Sequence, residues 1–111
     1  MKNDKIYVEY VLRCIARIEK FVAGGKDEFM TKDIVQDAVL RNLHTLSEST
    51  QRVSKEMKYA HTEINWRKIA EFRNVVVHDY LEIKLERIWT IVQNDIPKLK
   101  QDITIILNQL Q

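Results

Sequence analysis

The apolar residues of this chain recur at three- and four-residue steps along its whole length, which is the spacing of amphipathic helices. The first helix is predicted from about Asn3 to Val22, with Gly24 and Gly25 ending it. Thr31 is predicted to cap a second helix that runs to about Val53. The apolar line of that second helix consists of Val35, Val39, Leu43 and Leu46.

The second half of the chain continues the helical spacing after a polar stretch, "SKEMKYAHTEIN" at 54–65, which is predicted to hold the longest loop. Asn65 can cap a third helix that begins at Trp66 and continues to Tyr80. A fourth helix follows, and Pro97 either kinks it or starts a fifth. The pattern therefore predicts an all-α fold, an antiparallel bundle of four or five helices.

Composition narrows the class of protein. The 111 residues fit one domain, 1–111, and the 18 basic residues nearly balance the 16 acidic ones, which argues against a polycation that binds nucleic acid in bulk. No apolar run is long enough to cross a bilayer and the N-terminus is not a signal peptide, so we expect a cytoplasmic location. Cys14, the single cysteine, lies on a helical stripe and is predicted to be a buried structural thiol. His44 and His61 lack partners at metal-ligand spacing, so no metal site is expected.

A segment of mixed chemistry, "RNVVVHDY" at 73–80, interrupts this pattern. On a straight helix Arg73 and His78, five positions apart, point about 140° away from each other. Asn74 lies four positions before His78, on the same face, and is placed to hydrogen-bond it. Arg73 and His78 could act on one substrate if the helix ends near His78, or if a second copy of the segment completes the site across a dimer interface.

Two interpretations of the segment remain open. In one, arginine binds phosphate oxygens with a permanent charge while histidine serves as a base or an acid, which are the groups that RNA cleavage without a metal needs. In the other, Arg73 forms an ion pair with Glu71 or Asp79, His78 is a satisfied, partly buried group, and Tyr80 belongs to the core.

The surrounding sequence resembles the HepT-like toxins of the HEPN superfamily. The resemblance rests on "FRNVVVHDY" at 72–80, on "NWRKIAE" before it, on "LERIWTIVQNDIPKLK" at 85–100 and on "DIVQDAVLRNLHTLSES" at 33–49. It runs from about residue 30 to 100. One departure is Ser47, where the family usually has glycine before the glutamate of its second helix. The resemblance implies an all-helical, homodimeric, metal-independent endoribonuclease without a cofactor, the toxin of a type VII toxin–antitoxin system.

The resemblance also implies roles for individual residues. Arg73 and His78 of both subunits would be catalytic, supported by Asn74. Tyr80 would accept AMP from ATP in a reaction catalysed by the partner, a minimal nucleotidyltransferase that serves as antitoxin. The added phosphate would occupy the donors that RNA needs.

Further predictions concern the RNA surface and the partners. A polar pair of Arg41 and Glu48 inside the bundle is as consistent with the sequence as a place for both residues at the RNA cleft. Cations that could contact RNA, or else form an ordinary solvated face, are Arg41, Arg52, Lys55, Lys58, Arg67 and Lys68. Neither DNA nor a membrane is expected as a partner. The alternative function is a non-catalytic interaction or nucleotide-binding module of a nucleotidyltransferase complex.

Overall fold

The computed structural model of the chain describes residues 3–78 and 84–110, with side chains for 3–74 and 84–110. These ranges contain helices and no strand, which confirms the all-α prediction. In chain order the elements are α1 (Asp4–Phe21), α2 (Lys26–Thr31), α3 (Asp33–Gln51), α4 (Lys55–Ala60), α5 (Trp66–His78), α6 (Leu85–Thr90), a π-helical turn (Ile91–Asp95) and α7 (Ile96–Leu110).

Helices α1 and α3 lie antiparallel, and polar contacts join the start of α1 to the end of α3. The hydroxyl of Ser49 donates to the carbonyl oxygen of Tyr7 over 2.9 Å. The buried carboxylate of Asp4 accepts from the backbone N–H of Ser54 at 2.8 Å and from its hydroxyl at 2.6 Å. Burial alone would raise the pKa of Asp4. The hydrogen bonds from Ser54 act in the opposite direction, and the pKa lies below its ordinary value.

The remaining long helices enclose one core. Helix α5 packs on α3, and α7 packs on α1, where Lys100 Nζ lies 2.9 Å from Glu19 Oε2. Because Lys100 is early in α7 and Glu19 late in α1, these two helices are also antiparallel. The predicted apolar line of α3 is buried, as are residues from the other long helices: Val8, Val11, Ile15, Ile18, Ile69, Phe72, Leu99, Ile103 and Ile106.

Cys14 lies inside this core, fully buried. Burial raises the pKa of its thiol, and the charges of Arg17 and Arg13 offset part of that effect. The prediction of a buried structural thiol is confirmed. Within the described ranges no helix is both long and apolar enough to cross a membrane.

Two short helices were not predicted from the apolar spacing. Thr31 was expected to cap the second long helix, but it ends α2, where its hydroxyl donates to the carbonyl oxygen of Asp27 over 2.8 Å. The polar stretch expected to be the longest loop contains α4. Ser54 caps α4 by accepting the N–H of Met57 at 3.1 Å. Both helices have six residues, too few for a full apolar stripe to show in the sequence.

The capping prediction at Asn65 is confirmed, because its side-chain oxygen accepts the N–H of Lys68 over 3.0 Å. Pro97 is the second residue of α7, and α7 directly follows the π-helical turn. Proline has no N–H to donate to the carbonyl oxygen four residues earlier. This missing hydrogen bond explains why the helical hydrogen bonding changes to a π-helical turn just before Pro97.

Candidate functional site

Arg73 is half-exposed on α5 and is held by a carboxylate on α3. Its Nε lies 3.2 Å from Oε1 of Glu48. The Nη groups of the guanidinium donate no hydrogen bond to another described residue. Arginine can therefore keep its ion pair through Nε and still present N–H donors to a phosphate.

The same carboxylate oxygen has a second basic neighbour. Nε2 of His44, one turn earlier on α3, lies 3.6 Å from Glu48 Oε1. His44, Glu48 and Arg73, which we call the α3–α5 cluster, thus meet at a single oxygen atom. All three side chains are 38–54% exposed, so the cluster is open to solvent.

Only part of the predicted catalytic set can be located. Asn74 is exposed on α5, one residue after Arg73. His78 is the last residue of the described part of α5, and its side chain is not described. Tyr80 lies outside the described residues, so its predicted role stays a prediction.

Two predicted ion pairs do not form. Glu71, one of the partners considered for Arg73, instead lies 3.8 Å from Arg67, four positions earlier on the exposed face of α5. Asp37 and Arg41, four positions apart on α3, are both exposed, and no ion pair joins them in the described structure. Glu48, considered as a partner of Arg41, pairs with Arg73 across helices. A spacing of four residues on a helix does not by itself determine which ion pair forms, because long exposed side chains can also reach charges on a neighbouring helix.

A groove of about 520 Å³ runs beside the α3–α5 cluster, between α1 and the second half of α3. Glu48 belongs to its wall, so the groove and the ion pair of Arg73 share a residue. The other residues that line this α1–α3 groove are Ile6, Tyr7, Glu9, Tyr10, Arg13, Thr45, Ser49 and Arg52.

The cations predicted as RNA contacts fall in different settings. Arg52 is exposed in the α1–α3 groove, and Lys55 is exposed on α4. The ammonium of Lys58 lies 5.9 Å from the ring centroid of Trp66, and burial lowers its pKa, with the charge of Asp4 acting in the opposite direction. Lys68 is bound to Asp95 at 2.9 Å. Of these four, Arg52 lines the groove next to Glu48.

Three site residues were missed from the sequence. His44 could have been found as the residue four positions before Glu48 on one helical face. Tyr10 and Arg13 line the groove from α1, and no signal in the sequence pointed to them, since their position depends on how α1 packs against α3. No group of three or more His, Cys, Asp or Glu residues that could hold a metal ion occurs in the described ranges.

Comparison with known proteins gives the family. The model of the family described as ribonuclease HepT-like matches residues 11–106. A protein of Methanocaldococcus jannaschii, named as a gamma-glutamylcyclotransferase and candidate RNase, is 33% identical over 110 residues, which cover 98% of this chain and 50% of that protein. The chain thus spans half the length of that relative.

Two further relatives match over most of their own length. A probable ribonuclease HepT of Thermococcus cleftensis is 31% identical over 100 residues, covering 89% of this chain and 91% of the relative. A candidate RNase of Caldanaerobacter subterraneus subsp. tengcongensis is 26% identical over 110 residues, with 98% of each chain covered. No solved structure gives a significant match. The chain belongs to the ribonuclease HepT-like family, which confirms the resemblance seen in the sequence and the class of enzyme it implied, an endoribonuclease.

Proposed function

We propose that this chain is a metal-independent endoribonuclease toxin that works as a homodimer, with Arg73 and His78 of both subunits directed at one scissile phosphate. The observation that supports it most directly is the setting of Arg73. The side chain is half-exposed, its Nε is held 3.2 Å from Glu48, and its remaining donors are available to an anion. His78 follows five positions later on the same helix.

The proposed chemistry uses only side chains. A neutral imidazole takes the proton of the RNA 2′-hydroxyl as its oxygen attacks phosphorus, and the bond from phosphorus to the 5′-oxygen breaks. An imidazolium gives the leaving 5′-oxygen its proton, so the products are a 2′,3′-cyclic phosphate and a 5′-hydroxyl. The guanidinium stabilises the charge on the phosphorane between these steps.

The dimer is part of the proposal because one imidazole cannot readily be base and acid at the same moment. Two chains related by a two-fold axis supply two histidines and two arginines. Asn74, exposed next to Arg73, is proposed to support His78.

Regulation is proposed to act at Tyr80. A minimal nucleotidyltransferase, the antitoxin of a type VII system, would transfer AMP from ATP to the phenol oxygen with release of pyrophosphate. The new phosphodiester would bring negative charge and bulk to the segment that carries Arg73 and His78. We further propose that residues 1–111 act as one domain in the cytoplasm, and that the basic residues set out above contact RNA where they are exposed.

The test uses two variants with matched controls. His78→Ala and Arg73→Ala should each abolish RNA cleavage and growth inhibition while the helical circular dichroism stays unchanged. His61→Ala and Arg17→Ala, outside the proposed site, should cut at the rate of the parent. If His78→Ala cuts as fast as the parent, the assignment is wrong. If the parent cuts no RNA yet binds a nucleotidyltransferase, the chain is a non-catalytic interaction module instead.

A further inference from the structure

The α1–α3 groove lies beside the proposed catalytic arginine but plays no part in the chemistry set out above. Its volume of about 520 Å³ is within the range of about 300–1,000 Å³ typical of sites for small organic groups. It adjoins the proposed site because Glu48 lines the groove and also binds Arg73. Because the groove and Arg73 share Glu48, a nucleotide next to a phosphate bound at Arg73 would meet the wall of this groove.

The aromatic part of the lining suits a nucleobase. Tyr7 and Tyr10 are both half-buried, each packed partly against the core with the rest of its surface in the groove. The carbonyl oxygen of Tyr7 accepts the hydroxyl of Ser49, which fixes α1 against α3 at the floor. A ring that is already packed partly against the core can stack on a base without first being ordered by the ligand.

The charged part of the lining suits a sugar–phosphate backbone with a base beside it. Arg13 and Arg52 are exposed, and no carboxylate of the described residues forms an ion pair with either. Of the two carboxylates in the groove, Glu48 is already paired with Arg73. Glu9 is left to accept hydrogen bonds, and the amino groups of bases are donors of that kind.

We infer that the α1–α3 groove binds one nucleotide of single-stranded RNA next to the scissile phosphate. Tyr10 stacks on the base, Arg13 and Arg52 bind the flanking phosphates, and Glu9 favours bases that carry an amino group. The inference rests on the proposed function, since it makes the groove a subsite for the RNA that Arg73 and His78 would cut.

The test measures binding apart from cleavage. The full-length protein is titrated into a fluorescein-labelled single-stranded oligonucleotide of mixed sequence, 2′-O-methylated at every position so that it cannot be cut, and fluorescence anisotropy is followed from low to high salt. Arg13→Ser and Arg52→Ser should each weaken binding and reduce the slope of log K against log salt by about 0.7, the value for one phosphate contact on a single strand. Lys20→Ser, on α1 outside the groove, should match the parent.

Stacking is tested separately from charge. Tyr10→Leu should weaken binding about tenfold at every salt concentration, because the ring is lost while most of the volume is kept. Tyr10→Phe should bind as the parent does. Because Tyr10 contributes to the core, circular dichroism of both variants is compared, and the exposed arginine variants decide the matter if Tyr10→Leu unfolds.

Several results would overturn the inference. Unchanged affinity and slope in both arginine variants would do so, as would an equal loss in Lys20→Ser. If sedimentation shows that the arginine variants lose binding because a dimer dissociates, the groove is a contact between two copies of the chain instead.

Cleavage of unmodified RNA is measured in parallel. Cleavage with no effect of the groove variants overturns the subsite and leaves the nuclease standing. If binding depends on the groove residues but the parent cuts no RNA, the proposed nuclease activity is wrong and the groove remains an RNA-binding site.

Discussion

Arg73 and Glu48 come from different helices, α5 and α3, and their ion pair joins Nε to Oε1 over 3.2 Å. The same Oε1 lies 3.6 Å from Nε2 of His44. A half-exposed ion pair of this kind adds little to stability, about 0–1 kcal/mol. Its consequence is geometric, because it fixes which edge of the guanidinium faces solvent.

Glu48 should therefore act as a positioning residue. Glu48→Ala is expected to lower kcat for RNA cleavage about tenfold, since an unheld arginine must be ordered during each turnover. Glu48→Gln should retain most of the activity, because its side chain keeps the same shape and its amide oxygen can accept a hydrogen bond from the guanidinium. Rates measured at saturating RNA check this, with Glu71→Gln on the exposed face of α5 as the control. Equal activity of Glu48→Ala and the parent would contradict it.

A site shared between subunits predicts that one defective subunit silences its partner. When the parent exchanges subunits with an excess of His78→Ala, each mixed dimer holds only one histidine, which cannot readily serve as base and acid together. Cleavage should therefore fall to the share contributed by parental dimers, well below the share of parental chains. The control mixes the parent with His61→Ala, which should leave the rate per chain unchanged. If subunit exchange is demonstrated by mass and cleavage falls only in proportion to the parental chains, a shared site is contradicted.

Asp4 should make folding stability dependent on pH in the acid range. Its folded-state pKa lies below the ordinary 3.8, so its contribution is complete above about pH 4 and is lost as pH falls through the folded-state pKa. Hydrogen bonds to a buried charge suggest that Asp4→Asn costs about 2 kcal/mol at neutral pH. That difference from the parent should shrink on acidification.

Urea denaturation at several pH values measures this difference. Asp33→Asn is the matched control, because Asp33 also begins a long helix but is exposed. It should change stability by no more than about 0.5 kcal/mol. If the difference in the free energy of unfolding between the parent and Asp4→Asn stays the same down to low pH, the folded-state pKa of Asp4 is not lowered as stated.

The long helices could be predicted because each buries one stripe of a regular pattern. The line from Val35 to Leu46 is buried as expected, and the cap at Asn65 forms. The six-residue helices α2 and α4 escaped prediction because one or two turns cannot display a stripe. Their position is set by contacts such as that of Ser54 with Asp4, fifty positions apart in the chain.

The candidate site also contains residues that could be predicted from the sequence and residues that could not. Arg73 and His78 could be picked out because their chemistry is out of place among valines. The sequence suggested Glu71 or Asp79 as the partner of Arg73, because both are close to it in the chain. Only the packing of α5 on α3 brings Glu48 within 3.2 Å of Arg73. The groove wall at Tyr10 and Arg13 depends in the same way on the packing of α1 against α3.

Cys14 should be almost inert in the folded protein. It is fully buried, and burial also raises its thiol pKa, so both access and the thiolate fraction are reduced. Reaction with a chromogenic disulfide reagent should be at least roughly a hundredfold slower than in urea, because the helix must open first. The control carries Cys14→Ala with Ala16→Cys, which places a thiol at an exposed position of α1 and should react at once. A fast native reaction of Cys14 would show that α1 opens readily.

Tyr80 provides a test of whether sequence context or mere exposure selects the site of AMP transfer. Tyr59 on α4 is 80% exposed, so exposure alone would make it a target. Incubation with the nucleotidyltransferase, ATP and Mg²⁺ should nevertheless add adenylate to the peptide that contains Tyr80, and cleavage of RNA should fall in step with the modified fraction. Tyr80→Phe should remain unmodified and active in the presence of the partner, whereas Tyr59→Phe should be modified and silenced as the parent is. Adenylate found on Tyr59, or an adenylated protein that still cuts RNA at the full rate, would mean that modification does not act through the segment that holds Arg73 and His78.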